Sequence, residues 1–286
     1  MITSKFPSNQ ANSSVLQHSH EMIDTYNYIR TMVKQENLYQ CHDYLKCNKK
    51  NKRVVDAAFR SKVWQWITRM SECANLHSET AVMAMNYIDR YFCSSMRQPK
   101  SRREYQLVAM TSLYLAIKIF EQREIDATTI SGLSGGLQSG QDILSFESSI
   151  VDSLRGKMQC PTALWFVHHS LQILTSYSAE YFVAQKLYHD SQRQIKLSVG
   201  DYACVCVRQS SLAIASVLNS LDEIGEVDFP LDKRTEFVQA LHDAFGLKKD
   251  CLLITTVRKR LNLLLPKNEP MEDLREKIIS YESPVE

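Results

Sequence analysis

Apolar residues recur at intervals of three and four along most of this chain, and the alternating β-branched runs that mark strands are missing. The pattern predicts an all-α protein. A first helix is predicted over about 20–36, where Met22, Ile23, Tyr26, Ile29 and Val33 share helical spacing. A basic, polar link, KCNKKNKR, follows at 46–53. Five helices come next, over about 56–72, 78–93, 104–121, 126–133 and 141–155. Phe59, Val63, Trp66 and Ile67 form one face of the first, and Ile143, Leu144, Ile150, Val151 and Leu154 are expected to face inward from the fifth. The third has almost no polar side, which belongs at the centre of a bundle.

Pro161-Thr162 opens a second block, with Thr162 placed as the N-cap of a helix over 163–175. Further helices are predicted at about 178–192, 200–220, 231–245 and 249–264. The stretch 203–220 again lacks a polar face. Its SSLAIASV (210–217) can be laid on TSLYLAIK (111–118) at an offset of 99 residues. This weak repeat puts a buried central helix in the same place in each half and predicts two five-helix domains, over 55–159 and 160–265, after a helix and link at 20–54. Residues 1–19 and 266–286 have little to bury and are expected to be disordered.

Composition narrows the function. A length of 286 residues accommodates two domains, and a net charge of +2 gives no global field toward nucleic acid or membrane. The stretch MITSKFPSNQANSS lacks the apolar core of a signal peptide, and no apolar run approaches the roughly 18 residues of a membrane span. The eight cysteines include no CxxC pair and read as free thiols of a reducing compartment. A zinc site from Cys41, His42 and Cys47 lacks a second ligand pair. SGLSGGLQSG lacks the GK[ST] ending and preceding strand of a P-loop. His168-His169 has no ligands at metal spacing, and no nucleophile–base constellation is visible. Neither a cofactor nor a catalytic activity is expected.

Three charges stand out instead. Asp89 in AVMAMNYIDRYFCSS, Lys118 in LVAMTSLYLAIKIFE and Glu147 in ILSFESSIV each replace an expected apolar residue. A charge on an apolar helix face requires a partner, inside the fold or on another protein. Arg60 and Asp89 are 29 positions apart, and so are Lys118 and Glu147. Taken alone, Lys118 could also be a snorkelling cation near a helix C-terminus, and Glu147 a solvated residue.

These segments resemble a cyclin. MNYIDRYF (85–92) is similar to the helix-2 signature of the cyclin box, AIKIFE (116–121) to its helix-3 end, and ILSFESSIV (143–151) to its helix-5 motif. CPTALWFV (160–167) resembles the junction opening the second cyclin fold, and EMIDTYNYIRTM (21–32) the helix before the box. The resemblance spans about 20–265 and is nearest to mitotic and G1 cyclins, with D-like features in the first box. It implies a regulatory subunit that binds and activates a cyclin-dependent serine/threonine kinase in cell-cycle control, in nucleus or cytoplasm. It implies an internal Arg60–Asp89 pair, with Lys118 and Glu147 meeting the kinase's C-helix region. Leu115, Ile119, Val151 and Met158 would add apolar contact, and Leu107 matches a core position. Phe59, Val63, Trp66 and Gln106 resemble a patch that docks substrates or inhibitors.

The chain departs from the family pattern at three places. Gly156 stands where many cyclins carry an aromatic. Lys62 replaces an aliphatic residue of the patch, and Arg69 an acidic one, so the patch is expected either not to recruit basic-hydrophobic motifs or to prefer acidic-hydrophobic ones. Two other readings share the fold: a scaffold that binds a kinase without activating it, and a DNA-binding transcription factor of the tandem type. The second needs a basic stripe that the near-neutral charge does not supply. Lys46, Lys49, Lys50, Lys52 and Arg53 form a candidate nuclear import signal. Ser283-Pro284 is a candidate site for a proline-directed kinase in a tail that could signal degradation. Arg258–Leu261 has destruction-box spacing but falls in a predicted helix.

Overall fold

The computed structural model describes residues 10–46, 55–94, 98–121, 125–133, 138–177, 181–247 and 252–266, with side chains from Met22 onward. Every regular element among them is helical, as the periodicity predicts. Helix α1 (Gln10–Gln35) runs into a 3-10 turn (Glu36–Tyr39). It begins well before the predicted start, so residues 10–19, expected to be disordered, belong to it. Their sequence is too polar to carry an apolar period.

Local signals explain most of the boundaries. Asp56 caps α2 (Ala57–Cys73), Ser101 caps α4 (Arg102–Phe120) and Asp126 caps the short α5 (Ala127–Gly132). Between the first two lies α3 (Ser78–Ser94). Ser139 and Asp142 form a reciprocal capping box on α6 (Gly140–Ser153). Thr162 accepts from the Trp165 amide at 3.0 Å and caps α7 (Ala163–Thr175), as predicted. The remaining helices are α8 (Tyr181–Gly200), α9 (Gln209–Asp222), α10 (Leu231–Phe245) and α11 (Leu252–Leu264). The single helix expected over 200–220 is instead a 3-10 turn (Tyr202–Cys204) and then α9. Asp201 caps that turn, accepting from the Ala203 amide, and so ends the helical run early.

Two helices are buried on nearly all sides. Around α4 pack α3, α5 and α6, and around α9 pack α7, α8 and α11. Their interiors differ. In α4 the buried hydroxyls of Thr111 and Ser112 have no hydrogen-bond partner among the described residues. In α9 buried polar groups are paired: Asn219 donates to Gln194 at 2.9 Å, and Gln194 donates to Ser220 at 3.1 Å. On its other side Asn219 receives a bond from Arg258 at 2.9 Å, which fixes α11. Leu261 is fully buried and Arg258 bonds Asn219, so both ends of the Arg258–Leu261 spacing are engaged in packing α11.

The two groups meet along α2, α3 and α8. At Gly200 a Cβ would stand 2.7 Å from Trp64 Cδ1, so the end of α8 approaches α2 more closely than any side chain permits. The first helix lies against α7 and α10, where Arg30 donates to the Asp243 carbonyl at 3.1 Å. Glu36 crosses to the start of α9 and accepts from the Ser210 amide at 3.0 Å and hydroxyl at 2.6 Å. Arg208, the residue before α9, supplies no side-chain cap. Glu36 does so from 174 positions away, placing a carboxylate where the helix dipole favours one. Burial raises its pKa, against the Ser210 bonds and the Arg208 charge that lower it.

Candidate functional site

Lys118 lies in the last turn of α4 and Glu147 midway along α6. Packing of these helices brings Nζ of Lys118 to 2.7 Å from Oε1 of Glu147. The ammonium also stands 5.3 Å from the Tyr114 ring centroid, one turn earlier on α4. The hydrogen bond to Glu147 holds its pKa above the ordinary lysine value, against a smaller lowering by desolvation. The pair faces solvent, with the Lys118 side chain 46% and the Glu147 side chain 24% exposed. Among the described residues one ammonium donor and one carboxylate oxygen are engaged, which leaves two donors and one oxygen for another molecule. The resulting surface presents a fixed donor beside a fixed acceptor.

The apolar residues expected around the pair differ in exposure. Ile119, Val151 and Met158 are half-buried against the core and reach the surface. Leu115 does not: at 3% exposure it belongs to the interior, because α4 buries its whole circumference in that turn. Leu144 makes the opposite correction. Expected to face inward, it is 44% exposed, three positions before Glu147 on the same stripe of α6 as Val151. Spacing alone gives α6 a broad apolar arc and does not say where its edge falls. Leu107, expected in the core, is only half-buried. At Gly156, φ is +66° and nothing lies within 4 Å of a built Cβ. An aromatic side chain there would have room but would strain the backbone.

Arg60 and Asp89 also meet, across α2 and α3. Nε and Nη2 of Arg60 donate to the two Asp89 oxygens at 2.8 and 2.6 Å, and Nη1 donates to the Val199 carbonyl of α8 at 2.7 Å. The side chains are 2% and 9% exposed. Tyr44 adds a hydrogen bond to Asp89 at 2.7 Å, and its hydroxyl lies 3.3 Å from that of Tyr105. Burial and then the Asp89 charge push the Tyr44 pKa well up. Burial works against the Arg60 charge, but Asp89 overcomes it and raises the pKa. A further ring, Tyr202, lies 5.9 Å from the Arg60 guanidinium and donates to Asp43 at 2.7 Å. None of Tyr44, Tyr202 and Val199 is visible as a partner in the sequence, since no spacing links them to Arg60.

The α2 patch is rearranged. Val63 is buried, while Phe59, Trp66 and Gln106 are half-buried. The buried tryptophan of α2 is Trp64, four positions after Arg60 on its inward stripe. Arg102 places its guanidinium 5.1 Å from the Phe59 ring centroid, a cation–π contact. With exposed Lys62 and half-buried Arg69, this surrounds Phe59 and Trp66 with positive charge. Cys41 and His42 are described but Cys47 lies outside the described residues, as do Lys49, Lys50, Lys52, Arg53 and Ser283; Lys46 is exposed.

A family model, the cyclin N-terminal domain, matches residues 24–159. Cyclin-A3-3 of Arabidopsis thaliana is 25% identical over 202 residues, covering 68% of this chain and 57% of that protein. The G2/mitotic-specific cyclin-A of Spisula solidissima is 25% identical over 197 residues, covering 67% and 44%. Cyclin-O of Homo sapiens is 27% identical over 218 residues, covering 74% and 60%. The chain thus spans about half the length of the curated relatives it matches. Among solved structures, a viral cyclin from herpesvirus saimiri superposes with a TM-score of 0.56 at 13% identity, covering 74% of this chain and 87% of that one. That likeness concerns the fold.

Proposed function

We propose that this chain, whose residues 24–159 match the cyclin N-terminal domain, is a cyclin: the regulatory subunit of a cyclin-dependent serine/threonine kinase, which it binds and activates in cell-cycle control. In this reading the helices around α4 are the kinase-binding box and those around α9 the second cyclin fold. The chain itself carries no catalysis; the kinase supplies it, in nucleus or cytoplasm. The observation that supports this most is the solvent-facing Lys118–Glu147 pair, held at 2.7 Å between α4 and α6 beside Ile119, Leu144 and Val151.

The mechanism is a population shift. A free kinase of this class holds its C-helix rotated out, so that its glutamate cannot pair with the lysine that positions ATP phosphates. A rigid surface that binds only the inward helix biases the equilibrium by its differential affinity. Moving the ratio from 1:99 to 99:1 requires about 5.5 kcal/mol. Apolar contact around the pair, with charge-assisted bonds from the remaining Lys118 donors and the free Glu147 oxygen, is of that scale. At the patch on α2, Lys62, Arg69 and Arg102 around Phe59 and Trp66 favour docking segments that combine acidic and apolar residues.

The test mixes purified protein with a panel of cyclin-dependent kinases and follows substrate phosphorylation beside the Lys118→Ala/Glu147→Ala variant. Activation by the wild type and its loss in the variant is expected. Binding without activation would replace this reading with that of a scaffold. No binding across the panel would send the search to nucleic acid.

A further inference from the structure

The segment leading from the 3-10 turn toward α2 brings two reactive groups together at the end of α3. Cys93 stands one turn beyond Asp89 on that helix. Its thiol donates to the carbonyl oxygen of His42, the residue next to Cys41, at 3.3 Å, and the thiol of Cys41 lies within hydrogen-bonding reach of it. Both thiols are free; Cys93 is 7% exposed and Cys41 is half-buried. The intervening backbone is anchored. Tyr44 donates to Asp89 at 2.7 Å, the Leu45 amide to the Tyr202 hydroxyl at 2.7 Å, and Gln98 to the Lys46 carbonyl at 2.8 Å. The segment that carries Cys41 is therefore held against the end of α3, where Cys93 stands.

The two thiols are chemically unequal. The bond from Cys41 lowers the Cys93 pKa, against its burial. The same bond, followed by burial and the charge of Asp89, pushes Cys41 well up. Cys93 is the better nucleophile and Cys41 the group positioned to resolve what forms on it.

We propose that Cys41 and Cys93 are a redox-sensitive pair that closes to a disulfide when a hydroperoxide reaches it. The Cys93 thiolate attacks one peroxide oxygen, the O–O bond breaks, and the departing hydroxide takes up a proton as water. Cys93 becomes a sulfenic acid. Cys41 then attacks that sulfur; the S–S bond forms, the S–O bond breaks, and oxygen leaves with the thiol proton as a second water. In sum, two thiols and one hydrogen peroxide yield one disulfide and two waters, the sulfurs losing the two electrons that reduce the O–O bond. A dithiol reverses the step by exchange. The cross-link ties the 41–46 segment to α3 beside Tyr44 and Asp89, and encloses all of α2 in a covalent loop.

The experiment exposes the reduced full chain to equimolar hydrogen peroxide, alkylates it, digests it without reductant and maps the cysteines by mass spectrometry. A Cys41–Cys93 linked peptide about 2 Da below the sum of its reduced halves is expected, removed by dithiothreitol. The oxidised chain should also melt higher, by on the order of 5 °C. In Cys41→Ser the link is lost and dimedone traps a sulfenic acid on Cys93, whereas Cys206→Ser leaves the link intact. Cys206 is exposed and within electrostatic reach of Cys93, so it is the rival partner. A Cys93–Cys206 link, over-oxidation of Cys93 without a link, or oxidation confined to other cysteines would each overturn the proposal. The wild-type peptide map decides among them even if Cys41→Ser does not fold.

Discussion

Two ion pairs in this protein have the same sequence spacing and opposite surroundings. Arg60–Asp89 and Lys118–Glu147 are each separated by 29 positions and each join two helices of the same group. The first pair is almost wholly buried, while the lysine of the second is 46% exposed. Around Arg60 three of the five guanidinium N–H groups are bonded within the fold, two to Asp89 and one to Val199, and burial keeps the rest from another molecule. Lys118 and Glu147 use only part of their bonding capacity. Charge at a given helical interval thus does not say whether a pair is sealed inside the fold or open to another molecule; burial does.

The comparison is broken most severely by removing one member of the buried pair. Arg60→Ala should cost about 3–5 kcal/mol of unfolding free energy, because Asp89 is left buried and uncompensated. Urea denaturation measures it, and Asp89→Ala added to that background should cost far less than Asp89→Ala alone. Next in size is Gly200→Ala, beside the Val199 carbonyl that Arg60 holds. The new Cβ would stand 2.7 Å from Trp64 Cδ1, and the overpacking should cost about 1–3 kcal/mol, read as a lower Tm with altered tryptophan fluorescence.

The exposed pair should respond in the reverse sense. Lys118→Ala should change stability by less than about 1 kcal/mol, yet weaken kinase binding at least about tenfold. The charge swap Lys118→Glu/Glu147→Lys sharpens this: it keeps an ion pair and the stability but should still lose the kinase, as titration calorimetry would show. A loss of stability with binding intact would reverse the two roles.

The smallest effect concerns a third pair, on the α9 side. Arg260 donates to both oxygens of Asp201 at 2.6 and 2.8 Å. Burial raises the Asp201 carboxyl, but the Arg260 and Ala203 bonds together leave it below its ordinary value. A carboxyl lowered in the folded state contributes stability that is complete above its unfolded value, near 3.8, and is lost as pH falls through the folded one. The advantage of the wild type over Arg260→Gln should therefore shrink between about pH 5 and pH 2. Arg260 is half exposed, so solvent screening keeps the whole effect under about 1 kcal/mol.

What could be read without coordinates follows from range. The Thr162 cap, the all-round burial of α4 and the boundaries of α7 rest on signals within a few residues, and all are found. Helical spacing groups Phe59, Val63, Trp66 and Ile67 on one face of α2, whereas its inward stripe runs through Arg60, Val63, Trp64 and Ile67, with a charge as its first member. The break at 201–208 was hidden because apolar Val205 and Val207 continue a helical pattern that Asp201 interrupts through its side chain. In the candidate site, Lys118 and Glu147 were legible as paired charges, but Leu115 and Leu144 exchanged places at the edge of an apolar arc. Contacts such as Glu36–Ser210 leave no local trace, since nothing near either residue encodes the other.

That last contact has a consequence for synthesis. Glu36, Asp43 and Arg60 find Ser210, Tyr202 and Val199 only after some 140 to 175 further residues have been added, 174 in the longest case. At about 5–20 residues per second, a nascent chain waits roughly 10–35 s between making Glu36 and making the Ser210 donors it accepts from. During that interval the α2–α6 helices can assemble around α4, while the joint that seals Arg60 stands open to water. The order in which the ribosome delivers the chain leaves closing that joint to the late arrival of α8 and α9.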